Sequence, residues 1–234
     1  MNYEQSIDYI HSIPKFRRPL GNANLEKLLT HLDNPQKKLK FIHIAGTNGK
    51  GSTAAMTAEI LKKSDFKTGL FTSPYLEVFN ERIRINGENI TDNDLAEYVT
   101  RVKAIMEKNN ALVSEFAFIT AVSFLYFYEK QCDIVVLEVG MGGKLDATNV
   151  IDSSLVSVIC KIGLDHTQYL VNTVEEIAKE KCGIMRNGGT AVSYPNNDVR
   201  DIIEEYAKSK NVSLTFAGTC LLYTSPSPRD TERS

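Results

Sequence analysis

Five short runs rich in Ile, Val and Leu recur along the chain, at residues 40–46 ("KFIHIAG"), 67–72 ("KTGLFT"), 132–140 ("CDIVVLEVG"), 154–163 ("SLVSVICKIG") and 189–194 ("GTAVSY"). They are short, and several are apolar on consecutive rather than alternate positions, the pattern of strands buried on both faces. Longer segments with helical character lie among them, at about 52–63, 92–109, 114–130, 173–182 and 197–210. Strand, helix, strand in this order predicts an α/β fold, a mostly parallel sheet of the P-loop type with helices on both faces. Asn86-Gly87 in "RIRINGENI" interrupts that rhythm with a hairpin signal, because both central residues of a type I′ turn need positive φ. Thr91, followed three residues later by Asp94, offers a helix N-cap.

The ends of the chain differ from this middle. Residues 1–40 read as a helical segment, and residues 41–217 as the α/β unit. From residue 218 onward neither a helical nor a strand period persists, and Ser225-Pro226-Ser227-Pro228 favours an extended, solvated backbone. Residues 218–234 read as a non-native tail resembling translated adaptor sequence, which would leave the α/β unit incomplete.

Composition narrows the function classes. The 234 residues are 42% hydrophobic and 24% charged, as in globular proteins with a sizeable core. With 27 Lys+Arg against 29 Asp+Glu, the net charge of −2 makes no general electrostatic case for nucleic acid or an anionic membrane. The N-terminus lacks a basic stretch followed by an apolar one, and no apolar run approaches a bilayer's thickness, so a cytoplasmic protein is expected. The 4 cysteines form no CxxC pair, which argues against a structural zinc site and for free thiols in a reducing compartment.

The candidate chemistry sits in "HIAGTNGKGST", residues 43–53. A Gly-rich bend between a strand and a helix aims successive backbone N–H groups at one point, where the helix dipole adds positive potential. Gly46, Thr47, Asn48, Gly49, Lys50, Gly51, Ser52 and Thr53 are therefore candidate ATP-binding residues, with Lys50 placed for the terminal phosphates. An ordinary tight turn with a surface lysine is the plainer alternative. The common P-loop puts Ser or Thr directly after the lysine to bind Mg²⁺, but here Gly51 intervenes, so the metal needs ligands from elsewhere. Strand tips supply candidates: Ser73 in "FTSPYL", Glu138 in "DIVVLEVG" and His166 in "IGLDHT". Ser73 could equally be a turn residue and His166 a satisfied loop histidine. A carboxylate in an apolar run is harder to dismiss, since burying it without a cation or strong donors is costly.

Taken together, "HIAGTNGKGST", "TSPYL" with "FNERI", "LEVGMGGKLDATN" and "IGLDHT" with "IAKEKCGI" resemble the folylpolyglutamate synthase/dihydrofolate synthase family, a branch of the Mur ligases. The resemblance runs over roughly residues 1–217. It implies an ATP-dependent ligase that phosphorylates a folate or dihydropteroate carboxylate to an acyl phosphate, which the amino group of L-glutamate then attacks. ATP and Mg²⁺ are implied, with Ser73, Glu138 and His166 on the metal and Lys50, His166 and Lys181 as catalytic residues. Lys181 matches a family lysine that can be carbamylated, although spacing alone suggests an exposed lysine beside Glu180. Arg82, Thr120 and Asp146 match motifs on the pterin and acidic-substrate side. The chain departs from the family at Tyr75, where His is usual, at Lys144 in place of Arg, and at Ala117 in place of Glu. A monomer with small-molecule substrates is expected. A Mur-type peptide ligase, and a nucleotide-binding module without turnover in this truncated form, are the competing readings.

Overall fold

The structure, a computed structural model, describes residues 1–16, 21–163 and 173–218. Among these residues eight strands form one sheet: β1 (Phe41–Ala45), β2 (Thr68–Phe71), β3 (Ile83–Ile85), β4 (Glu88–Asn89), β5 (Ile134–Glu138), β6 (Val156–Ile159), β7 (Thr190–Ser193) and β8 (Ser213–Phe216). Among the described residues, seven α-helices accompany them: α1 (Tyr3–Ser12), α2 (Ala23–His31), α3 (Lys50–Lys63), α4 (Asp92–Lys108), α5 (Glu115–Glu129), α6 (Val174–Cys182) and α7 (Arg200–Ser209).

The strand order is β4-β3-β2-β5-β1-β6-β7-β8. From β2 to β8 every pairing is parallel, and β3 and β4 add an antiparallel edge. That edge is the expected hairpin, with Asn86 at φ 50° and Gly87 at φ 85°. The five apolar runs became β1, β2, β5, β6 and β7 and follow the reading within a few residues; the run at 154–163 pairs only over Val156–Ile159. β8 was not anticipated. Its "SLTF" is half polar because this edge strand exposes Ser213 and Thr215.

The period of two along the central strands divides their side chains between two layers. Phe41 of β1, Phe71 of β2 and Val135 and Leu137 of β5 face the helical layer containing α4 and α5, in one core with Ile10 of α1 and Leu25, Leu28 and Leu29 of α2. Ile44, Leu70 and Val136 point to the other face, against Ala54 of α3. A third cluster joins Ala45 and Ile159 to α6 and α7. α5 is apolar on all sides, because it lies between the sheet and the outer helices, with Phe118, Phe124 and Phe127 fully buried. Each such phenylalanine contributes roughly 1.5–3 kcal/mol through removal from water. Thr91 caps α4 through Asp94 N–H, as expected. α7 begins at Arg200 rather than 197, because Asn196 adopts a left-handed conformation and residues Asn197–Val199 form a 3-10 turn.

Candidate active site

All the central parallel strands end on the same edge of the sheet, and β1 leads there into the glycine-rich bend. Gly46 lies against β6: a Cβ at this position would come within 2.6 Å of the Cys160 Cβ. The bend is then tied sideways to the chain leaving β6. Thr47 and Asn48 N–H donate to the Lys161 carbonyl at 2.8 and 3.2 Å, and the Thr47 hydroxyl donates to the Gly163 carbonyl at 3.0 Å. Gly49 turns the chain at φ 83° and α3 follows at once. The sequence suggested a start at Ser52; the two extra residues place Lys50 in the first helical turn.

Thr53 N–H bonds the Gly49 carbonyl at 3.0 Å, whereas the amides of Lys50, Gly51 and Ser52 have no acceptor among the described residues. Unpaired first-turn amides with a helix dipole behind them form an anion-binding end. The Lys50 Nζ folds back onto the carbonyls of Gly46 (3.0 Å) and Thr47 (3.2 Å). The Lys181 Nζ donates to the same Gly46 carbonyl at 2.9 Å. Lys181 is only 5% exposed, so the expectation of an exposed lysine, drawn from its spacing, is corrected. Helix α6 packs its C-terminal turn beside the loop, where Gly143 leaves no room for a Cβ against the Glu180 carbonyl, 2.5 Å away. Gly46, Lys50, Gly140, Met141 and Lys181 line a small shared pocket.

Glu138 is the last residue of β5 and continues the Val136 side of the strand, toward α3. A Cβ at Gly51 would sit 3.6 Å from the Glu138 Oε1, so the carboxylate faces the start of the helix. Glu138 is 3% exposed, and among the described residues one hydrogen bond holds it, from the Ser73 N–H to Oε2 at 3.0 Å. Burial pushes its carboxyl above the usual range, while the Ser73 amide, Lys50 and Arg82 pull it back. A buried carboxylate with one donor, beside a serine on the neighbouring strand tip, fits a hard divalent cation that prefers oxygen ligands. Among the described residues no cluster of three or more His, Cys, Asp or Glu side chains accompanies it. His166, the third expected ligand, lies outside the described residues.

The remaining expected residues separate. Arg82 ends the 3-10 turn Phe79–Arg82 next to the site, within electrostatic range of Glu138. Thr120 is fully buried inside α5, its hydroxyl donating to the Phe116 carbonyl at 2.7 Å. Asp146 is buried and partnered: it accepts from Met141 N–H, Thr148 N–H and the Thr148 hydroxyl at 2.9, 2.9 and 2.5 Å. Thr148 reaches His43 Nε2 of β1 at 2.9 Å. Sequence reasoning missed this His43–Thr148–Asp146 chain; its only signal was a histidine inside an apolar strand. Ser52 is exposed, and the Thr53 hydroxyl accepts from the Cys160 thiol at 3.4 Å.

The model of the Mur ligase middle domain matches residues 44–220, the span that holds both the bend and Glu138. The chain belongs to the Mur ligase family. Its relatives there are folylpolyglutamate and dihydrofolate synthases. It is 43% identical to the folylpolyglutamate synthase of Lacticaseibacillus casei over 80% of this chain and 45% of that protein. It is 41% identical to the dihydrofolate synthase/folylpolyglutamate synthase of Bacillus subtilis, over 82% and 46%. A solved structure described as an FPGS–AMPPCP–folate complex superposes with a TM-score of 0.88 at 38% identity, over 92% of this chain and 54% of that one. The Mur ligase chain thus spans about half the length of the curated relatives it matches.

Proposed function

We propose that this chain is the ATP-binding part of a ligase that joins L-glutamate to the carboxylate of a folate or of dihydropteroate. The observation that carries the reading is the juxtaposition of three amides at the start of α3 that have no acceptor among the described residues, the Lys50 ammonium and the buried Glu138. A triphosphate needs such donors, and its metal needs such an oxygen. The relatives named as folylpolyglutamate and dihydrofolate synthases, and the neighbour with AMPPCP and folate, support this choice of substrates.

In the proposed reaction a carboxylate oxygen of the acid attacks the γ-phosphorus of ATP, the bond to the β,γ-bridging oxygen breaks, and ADP leaves. The glutamate amine then attacks the acyl carbon, inorganic phosphate departs with the C–O bonding pair, and the amine releases one proton. Positioning and charge neutralisation are the protein's main contributions to such phosphoryl transfer. Lys50 exchanges its loop carbonyls for phosphate oxygens, and the α3 amides hold the same group in line. Ser73 and Glu138, with His166 as the family pattern implies, would hold Mg²⁺, which offsets phosphate charge when bound. Lys181 acts beside Lys50; burial next to Gly46 supports the reading that its amine can take up CO₂ as a carbamate.

Product mass tests the proposal. The full-length protein, given ATP, Mg²⁺ and L-glutamate, should extend dihydropteroate or tetrahydrofolate by one glutamyl unit and leave a UDP-linked peptide unchanged. Extension of the peptide alone would replace the folate reading with a Mur-type peptide ligase.

A further inference from the structure

One wall of the pocket beside Gly46 is the turn that follows β5: Gly140, Met141 and Gly142 line it together with Lys50 and Lys181. The turn bends at Gly142, φ 72°, and is closed from inside, where the Asp146 carboxylate accepts the Met141 N–H at 2.9 Å. Its outer side is fastened to the end of α6. The Lys144 and Leu145 amides donate to the Glu180 carbonyl and Oε1 at 2.9 and 3.2 Å, and the Asn149 side-chain amide donates to the carbonyls of Lys144 and Gly183 at 2.9 and 3.3 Å. Gly143 packs so closely that a Cβ there would lie 2.9 Å from the Lys181 Cα. Where the turn sits therefore decides where Lys181 sits.

The inner closure reaches back into β1. An ionised carboxylate only accepts, so the single proton of the Thr148 hydroxyl goes to Asp146 Oδ1 at 2.5 Å, and the Thr148 oxygen accepts from His43 Nε2–H at 2.9 Å. This order makes His43 the neutral Nε2–H tautomer, in keeping with a ring whose pKa burial lowers to about 3. Its Nδ1 is then a bare acceptor, buried and without a partner among the described residues. Phe41 and Ala45, on the same face of β1, carry no such penalty. A ring that leaves one nitrogen unsatisfied adds little stability, and what it contributes is the bond at the other nitrogen, which specifies one arrangement of its partners. His43 lies opposite Leu137 of β5, so this bond ties β1 to the chain that leaves the neighbouring strand.

We infer that His43 and Thr148 are positioning residues of the nucleotide pocket: they hold Asp146 where it closes the turn over residues 140–146, and the turn holds Lys181 against the Gly46 carbonyl. The inference rests on the nucleotide reading above. Both residues act through Asp146 and the turn.

Isothermal titration of ATP with Mg²⁺ into the 234-residue chain, well below the melting temperature of each variant, tests this. Thr148→Val and His43→Leu remove the two links with little change of volume, whereas Thr148→Ser keeps the hydroxyl and His43→Gln keeps a nitrogen donor. The first pair is expected to bind about tenfold or more weakly and the second pair within about threefold of the wild type. The Thr148→Val/His43→Leu double variant is expected within about twofold of either single one, because both cut the same chain. Val102→Ala, a core truncation in α4, which lines no part of the pocket, supplies the comparison for a purely structural role: its melting temperature falls and its ATP affinity stays within about twofold. Hydrogen exchange on the wild type needs no variant to fold: ATP with Mg²⁺ should slow exchange over residues 139–146 more than over α4. Undiminished ATP affinity in Thr148→Val and His43→Leu, an equal affinity loss in Val102→Ala, or exchange over 139–146 that slows no more than in α4 overturns the inference and leaves the nucleotide site standing. A wild-type chain that binds no ATP removes the nucleotide reading itself, and with it the pocket these residues serve.

Discussion

Two buried carboxylates close to one another in the fold have opposite surroundings. Asp146 accepts three hydrogen bonds and, through Thr148, links to His43 of β1. Glu138, on the α3 side of β5, accepts one among the described residues. Burial raises both carboxyls, so the cost of desolvation is common to the two. The difference lies in what offsets it: Asp146 is satisfied by the protein, and Glu138 is left for something else. Buried polar groups in folded proteins are normally well partnered, so Glu138, with a single donor among the described residues, is the better placed of the two carboxylates to take a ligand.

The largest effect should come from breaking the satisfied member. Asp146→Ala strands the Met141 and Thr148 amides and the Thr148–His43 link, and is expected to destabilise the chain by about 3 kcal/mol in urea unfolding. A loss under about 1 kcal/mol would mean that Asp146 belongs with the ligand-binding groups. Glu138→Gln sharpens the contrast with the opposite sign: without a buried charge the chain should gain about 1 kcal/mol, roughly 3 °C in Tm, while Mg²⁺-dependent ATP affinity falls about tenfold. A lower Tm with unchanged affinity would make Glu138 structural.

A smaller effect separates the two sites by pH. The folded-state pKa of His43 is depressed, by burial first and Arg186 second, from 6.5 to about 3. The unfolded chain therefore binds the extra proton, and this contribution to stability is complete above pH 6.5 and lost as pH falls toward 3. Asp146 and Glu138, both raised, act the other way: stability falls as pH rises from the ordinary carboxylate range through their folded values. His43→Gln should remove up to about 1.4 kcal/mol per pH unit from the acid slope. Saturating Mg²⁺ and ATP should flatten the opposing limb of Glu138 and leave that of Asp146 untouched. Flattening of both limbs would erase the distinction between the two carboxylates.

The same contrast explains what could be read from residue order. Gly46, Gly49 and Lys50 were legible because a bend with φ 83° and a close approach to Cys160 demand particular residue types. Glu138 stood out as one charge in an apolar run, and Asn86-Gly87 as a turn with few alternatives. Lys181 was opaque, since helical spacing says nothing of a neighbouring loop whose Gly46 carbonyl it meets. Asp146 and Thr120 matched motifs of the substrate side, but a motif does not record what a side chain already bonds, and here those bonds are internal. β8 escaped because an edge strand with one exposed face lacks the apolar continuity of its neighbours.

The central claim is that Lys50 and the free amides of α3 hold the triphosphate. Isothermal titration of ATP with Mg²⁺ into the wild-type chain and Lys50→Ala tests it directly. The account predicts saturable binding by the wild type and at least about a 100-fold loss in the variant, as expected when a desolvated charge-assisted contact is removed, with a Tm within about 3 °C of the parent. Equal ATP affinity in the two proteins would contradict it.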